Sequence, residues 1–284
     1  MKLNKSDIKT KEVLNWNGVH LLHFSGSACS QKIRIFCNIK KINWTSHVIN
    51  LIKQEQFSNW FLGINPRGLV PTLVHNGDVH IESNDIMFYL DEVFSDQRLF
   101  PIDMIDEIKK DLEFEDSLHH DLRRLTFRYI IPHALGKKKP SVIKTKEMFN
   151  GTIHGSPDEN KEKELIFWKN HYEHGITNDE VIDSVNKFKK IYENFNKILE
   201  NNKYLKGKKF TIVDLAWYVS TKRLITAGFP LKKFKYVQKW FNKLDSDDNF
   251  KKEIKIDLPL MVVSRIIKFI NKIKGSYITD LVKF

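Results

Sequence analysis

The order of apolar and polar positions changes character near residue 100. Before it, short apolar runs alternate with helical spacing. "VHLLHF" ending at Phe24 reads as a strand, and "SQKIRIFCNIKK" after it carries Ile33, Phe36, Cys37 and Ile39 at helical intervals. "WTSHVINL" reads as a second strand. In "PTLVHNGDVHIE" the Asn76-Gly77 pair is a two-residue turn signal between alternating strands. "SNDIMFYLDEVF" then sets Ile86, Leu90, Val93 and Phe94 on one helical face. The predicted order is βαβ followed by ββα.

That order is an α/β layer of thioredoxin type. After "LFPID" strand signals largely stop. A helical pattern runs from Asp106 to about Ile131, and residues 133–162 are charged and broken by Gly and Pro, which predicts a long exposed connection. Helical spacing resumes in "KEKELIFWKNHYEHG", in "DEVIDSVNKFKKIYENFNKILE" and in "KYVQKWFNKLD". Thr211 with Asp214 three residues on is a capping-box variant at the start of one more helix. The expected division is a thioredoxin-like α/β domain over 17–98, an all-α domain over 105–255 and an amphipathic extension over 256–284. In that extension Val262, Val263, Ile266, Ile267, Phe269, Ile270 and Ile273 recur at helical spacing between Arg265, Lys268, Lys272 and Lys274. The expectation is that this apolar face packs on the protein, with contact to an anionic membrane surface as the alternative.

Composition narrows the classes. The 284 residues are 41% hydrophobic and 29% charged, values of an ordinary globular chain. No run is apolar enough to span a bilayer, and "MKLNKSDIKTKEV" lacks the apolar core of a signal peptide. Two cysteines, Cys29 and Cys37, cannot build a disulfide framework, so a reduced, cytoplasmic setting is expected. The net charge of +12 is scattered, without zinc-finger or RNA-binding signatures, and no nucleic-acid partner is expected.

The candidate chemistry begins at "FSGSACSQKIRIF". A Gly-Ser turn from a strand into a helix aims unpaired N–H groups at whatever precedes the helix, a ready site for an anion or a thiolate. "NPRGLVPTLVHNGDVHIESNDIMFYLDE" resembles the second half of the N-terminal domain of glutathione transferases: an Asn-Pro-x-Gly turn, Val-Pro before a strand, and Glu-Ser opening the next helix. "INLIKQEQFSNWFLGINP" is similar to the zeta class, and "GKKFTIVDLAWY" and "YVQKWFNKLDSDDNFKKEI" resemble the superfamily's helical domain. The long connection is similar to that of beta-etherase-type and ganglioside-induced-differentiation-type relatives.

The resemblance implies glutathione as co-substrate, and a thiol activated for attack on a small electrophile by addition, displacement at an ether or halide carbon, or isomerisation. It also implies a homodimer. A non-catalytic glutathione-binding or regulatory module is the alternative. Pro71 would be the family's cis-proline, with the Val70 N–H and C=O pairing with the peptide's cysteine residue as an added strand. Ser83, read as a helix cap, would take the γ-glutamyl carboxylate and Glu82 its ammonium. Lys53 and Gln56 lie in the loop that would meet the glycine end. The zeta motif Ser-Ser-Cys-Ser-x-Arg-x-Arg aligns with Ser27 to Arg34 and places its first serine on Ser27, whose hydroxyl would hold the sulfur as a thiolate. Cys29 fits the Ala-Cys-Ser of beta-class relatives and would form mixed disulfides instead. Ser30 is the third candidate.

In the helical half, "LEFEDSLHHDLRRLTFRYIIPH" concentrates charge within four turns. His120 and Arg124 are its candidate contacts to a co-substrate. Its carboxylates and histidines have metal-ligand spacing, but no further ligand cluster supports a metal, and none is expected.

Overall fold

The computed structural model describes residues 1–254 and 258–284, which form two compact units. The first comprises Met1–Ser95 and Lys137–His174; the second comprises Asp96–Gly136 and Gly175–Phe284.

In chain order, the first unit opens with β1 (Val19–His23), α1 (Ala28–Lys40), β2 (Thr45–Val48), the short α2 (Asn59–Leu62), β3 (Thr72–His75), β4 (Asp78–His80) and α3 (Ser83–Val93). The strands form one sheet in the order β2-β1-β3-β4. β1 and β2 are parallel because α1 carries the chain across; β3 runs antiparallel to both β1 and β4. The hairpin is where the sequence predicts it, with Asn76 and Gly77 both at positive φ, 50° and 79°. Glycine is required there twice over, since a Cβ at 77 would lie 2.2 Å from the Leu14 carbonyl oxygen. α1 is buried along Ser30–Cys37 and ends on Lys41 in the left-handed conformation.

Residues 1–16 also belong to this unit. Leu3 N–H donates to Val79 O at 2.8 Å and Ile81 N–H to Met1 O at 2.9 Å, extending the sheet beyond β4. Leu3, Ile8 and Val13 join Leu22, Phe61, Ile64 and Val74 in the core.

The helical region begins with α4 (Ile105–Ser117) and α5 (His119–Tyr129), then the short α6 (His133–Gly136). The single predicted helix over 106–131 is thus two, parted at Leu118, where the Ser117 hydroxyl donates to the Phe114 carbonyl. The chain then returns to the first unit as α7 (Pro140–Met148), a hairpin of β5 (Thr152–Ile153) and β6 (Ser156–Pro157), and α8 (Lys161–His174). The expected exposed connection inside a continuous 105–255 domain is therefore corrected: most of it is folded, and it belongs with the α/β layer. The reason is visible at Asp7. Its carboxylate accepts from the Thr152 hydroxyl at 2.6 Å, His154 N–H at 2.9 Å and Gly155 N–H at 3.0 Å. Burial pushes that carboxyl up, but the hydrogen bonds from Thr152, Gly155 and His154 outweigh it and hold it below its usual range.

The second unit is completed by α9 (Asn178–Asn201), α10 (Ile212–Ala227), α11 (Lys235–Asp245), the short α12 (Asp248–Lys251), α13 (Leu258–Ile273) and the short α14 (Ile278–Leu281). α10 is its centre, with Leu215, Ala216, Trp217, Tyr218 and Val219 buried on consecutive positions. The capping box at its start is present: Asp214 accepts from the Thr211 N–H at 3.0 Å. The tail is tied to α5, since Tyr129 donates to Ser276 O at 2.7 Å and the Ser264 hydroxyl to Tyr129 O at 3.1 Å. Of the apolar face expected to pack on the protein, Val263 and Ile267 are half-buried, but the rest is not packed. Val262, Ile266, Phe269, Ile270 and Ile273 are exposed.

Candidate functional site

Strand directions decide where the candidate residues meet. β1 and β2 run one way, β3 the opposite way, and β4 runs with β1. The segments that leave β1, β2 and β4, and the one that enters β3, therefore share one end of the sheet. Ser27, Cys29 and Ser30 follow β1; Lys53 and Gln56 follow β2; Val70 and Pro71 precede β3; Glu82 and Ser83 follow β4. All nine come to that end of the first unit.

Ser27 is the N-cap of α1, and its hydroxyl accepts from the Ser30 N–H at 3.3 Å. The same hydroxyl donates to Val70 O at 3.4 Å, and the Val70–Pro71 peptide bond is cis. Ser27 thus sits where the first N–H groups of a 13-residue helix lack intrahelical acceptors. Cys29 is the second residue of α1, within its first turn, and is half-buried. Ser30 is completely buried, and its hydroxyl accepts from the Phe24 N–H at 3.4 Å.

Two residues to which the sequence assigned no role hold the turn, although Arg34 is the last position of the zeta-like motif. Arg34 is buried and donates to Phe24 O at 3.2 Å and Ser25 O at 3.3 Å, with His23 Nδ1 at 3.3 Å. Gln31 Nε2 donates to Ser25 O at 3.0 Å. Their signal in the sequence was helical phase: positions 31 and 34 are one turn apart on the face that looks back at the turn.

At the second helix start the expectation needs correcting. Ser83 is the first residue of α3 rather than its cap; the N-cap is Glu82, at φ 65°, with no side-chain cap. A non-glycine residue in that region stores about 1–3 kcal/mol of strain and is held by its surroundings. The holder is Arg67, whose guanidinium meets Glu82 at 2.5 Å and Asp158, from the returning segment, at 3.3 Å. Although burial opposes it, this pairing raises the guanidinium pKa, so Arg67 stays cationic. Glu82 is already ion-paired before any ligand ammonium arrives.

The returning segment also brings cations to the loop after β2. Lys138 and Lys146 are both buried; Lys138 Nζ donates to Leu51 O at 3.4 Å and Lys146 Nζ to Arg67 O at 2.8 Å. Their ammonium groups lie 5.9 and 5.5 Å from the Phe57 ring. Nothing in the sequence marks these two among the surrounding lysines. Lys53 is exposed, while Gln56 is buried with its Oε1 lacking a hydrogen-bond partner among the described residues. Such an acceptor costs roughly 1–3 kcal/mol unless water or a ligand meets it.

His120 and Arg124 belong to the second unit, where Arg124 is ion-paired with Asp121 at 3.1 Å and Glu180 at 3.4 Å. Glu115, Asp116 and His119 bring donor atoms within 4.8 Å of one another. These atoms are engaged internally: His119 meets both carboxylates, and the Ser220 hydroxyl donates to Glu115 at 2.5 Å.

Residues 26–93 match the model of the glutathione S-transferase N-terminal domain and residues 156–247 that of the C-terminal domain, together more than half of the chain. A zeta-class glutathione S-transferase of Euphorbia esula is 39% identical over 84 residues, 30% of this chain and 37% of that protein. The match therefore spans under two-fifths of that relative's length. Glutathione S-transferase D6 of Drosophila melanogaster is 24% identical over 78% of this chain and 84% of its own. Among solved structures, the beta-etherase LigF of Sphingobium sp. strain SYK-6 superposes with a TM-score of 0.68 at 21% identity, covering 83% of this chain and 98% of LigF. A cis Val-Pro at the sheet end, a capped helix before it, and both domain models in the right order lead to one family: the chain belongs to the glutathione transferase superfamily.

Proposed function

We propose that the sheet end of the first unit binds glutathione and that Ser27 stabilises its thiolate for attack on a small electrophile. The observation that carries this reading is the contact of the Ser27 hydroxyl, at the N-terminus of α1, with the Val70 carbonyl beside the cis Pro71. In this reading the Val70 backbone pairs with the cysteine residue of glutathione. The start of α3 with Glu82 and Ser83 takes the γ-glutamyl end, and Gln56 and Lys53 the glycine end. Ser27 is favoured because its hydroxyl caps α1 and lies beside the Val70 carbonyl. The chemistry is thiol addition, displacement at an ether carbon or isomerisation. Relatives carry names for the last two: the beta-etherase LigF, and a Drosophila protein named a probable maleylacetoacetate isomerase, 40% identical over 80 residues. A homodimer in the cytoplasm is part of the same proposal.

The test is Ser27→Ala beside Cys29→Ser, with glutathione affinity by calorimetry and the bound thiol's titration by ultraviolet absorbance. One charge-assisted hydrogen bond contributes roughly 1.5–3 kcal/mol, so Ser27→Ala is expected to raise the bound thiol pKa by about 1–2 units with affinity little changed. Failure of the wild type to bind millimolar glutathione refutes the reading. A shift with Cys29→Ser and none with Ser27→Ala moves the role to Cys29. Glutathione binding without turnover of any electrophile supports the non-catalytic module instead.

A further inference from the structure

α13 is mounted the reverse way round for a helix of a folded domain. Its most buried line is polar and bonded, flanked by the half-buried Met261 and Ile267. Ser264 is buried with its hydroxyl on Tyr129 O, and Lys268 Nζ donates to Thr226 O at 2.9 Å. The outward line holds Val262, Ile266, Phe269, Ile270 and Ile273, at i, i+4, i+7, i+8 and i+11, each between 45% and 71% exposed. At 100° per residue these five occupy one contiguous stripe. Folded monomers seldom leave such a stripe uncovered.

The charges around it identify its occupant. From Leu258 to Thr279 there is no Asp or Glu, and four cations stand there: Arg265, Lys268, Lys272 and Lys274. Arg265 and Lys272 border one edge of the stripe and Lys274 the other, all three exposed. A second copy docked stripe to stripe would bring these rows of cations against each other with no carboxylate of the same segment to neutralise them. A surface of lipid phosphates supplies the missing sign, and its acyl boundary takes the apolar side chains. Among the described residues no helix is long and apolar enough to cross a membrane, so α13 lies flat.

We propose that α13 is a docking face for an anionic lipid bilayer, with Val262, Ile266, Phe269, Ile270 and Ile273 seated at the headgroup–acyl boundary and Arg265, Lys272 and Lys274 against the phosphates. The full chain is mixed with vesicles of phosphatidylcholine alone or of phosphatidylcholine with phosphatidylserine, whose surface potential is negative, and sedimented. Binding is expected to the anionic vesicles and to be weakened by added salt. Replacing Arg265, Lys272 and Lys274 with Gln should lower partitioning roughly 100-fold, at about 1 kcal/mol per cation. Ile266→Glu with Phe269→Glu should abolish it. Both variants lie on exposed positions and are expected to unfold at the wild-type temperature and to keep glutathione retention, which separates this face from the site on the first unit. No binding to anionic vesicles, or equal binding by the wild type and both variants, overturns the proposal. So does a stripe variant that changes the sedimentation-equilibrium mass and leaves vesicle binding intact, which assigns the face to a second copy.

Discussion

Replacing Asp214 by Ala is expected to destabilise the second unit by about 3 kcal/mol. The carboxylate is buried and accepts from the Leu205 N–H at 2.9 Å, the Thr211 N–H at 3.0 Å and the Trp240 indole N–H at 2.9 Å. Those three donors come from the loop before α10, from its N-cap and from α11, so one side chain ties three segments together. A hydrogen bond to a charged acceptor contributes roughly 1.5–3 kcal/mol, and the lower figure suits an acceptor shared three ways, giving about 4.5 kcal/mol lost. Against this stands the cost of burying the charge. Burial pushes the Asp214 carboxyl above its ordinary range despite its donors. Alanine relieves that cost but leaves three buried donors unpaired, at roughly 1–3 kcal/mol each, so the net loss is set at about 3 kcal/mol. The net of about 3 kcal/mol corresponds to a fall in melting temperature of about 6–12 °C for a domain of this size. Urea and thermal unfolding followed by far-ultraviolet circular dichroism read it directly. Asp214→Asn keeps one acceptor oxygen and should lose at least half as much, because its amide faces donors. A loss under about 1 kcal/mol for Asp214→Ala would refute the view that this carboxylate organises the helical unit.

Asp7→Ala should release the 152–157 hairpin by removing the acceptor of three hydrogen bonds, about 2–3 kcal/mol of local stability; faster limited proteolysis between Met148 and Lys161 checks it, and an unchanged cleavage rate counts against the clamp. His80 is pushed down to about 4, first by burial and then by the N-terminal ammonium and Lys2. Its folded pKa is depressed, so the folded state is favoured above about 6.5 and loses that share as pH falls towards 4. The share is at most about 3 kcal/mol. His80→Phe, which keeps the stack on Tyr89, should flatten the fall in urea stability between pH 6.5 and 4.5; a slope identical to wild type would locate the acid sensitivity elsewhere.

The α/β layer was legible because its signals are local. Asn76-Gly77, the alternation around it and the helical spacing after Ser27 each act within about a dozen residues, and the Val-Pro/Glu-Ser pattern marks the sheet end. What escaped reading depends on distant partners. Residues 1–16 carry no regular period, and their apolar side chains find the core only through the pairing of Leu3 with Val79. In the 137–174 segment, Lys138 and Lys146 look like solvated surface until Leu51 and Arg67 supply carbonyls. Glu82 and Ser83 stand at the start of α3, where the sequence expects a helix to open, but which of them precedes the helix turns on a positive φ that glutamate does not advertise. For α13 the period was right and the direction was wrong, because periodicity fixes a face and not which way it looks.

The return of residues 137–174 to the first unit bears on how the chain is born. Asp7 leaves the ribosome 148 residues ahead of Gly155, the last of its three hydrogen-bond donors. At roughly 5–20 residues per second that is a wait of about 7–30 s. During it the nascent sheet can form, while Arg67 still lacks Asp158 and Leu51 still lacks Lys138. The sheet end is thus finished only after α4 and α5 have been made. The site matures late in synthesis, although nearly all the residues proposed to bind the ligand are translated early.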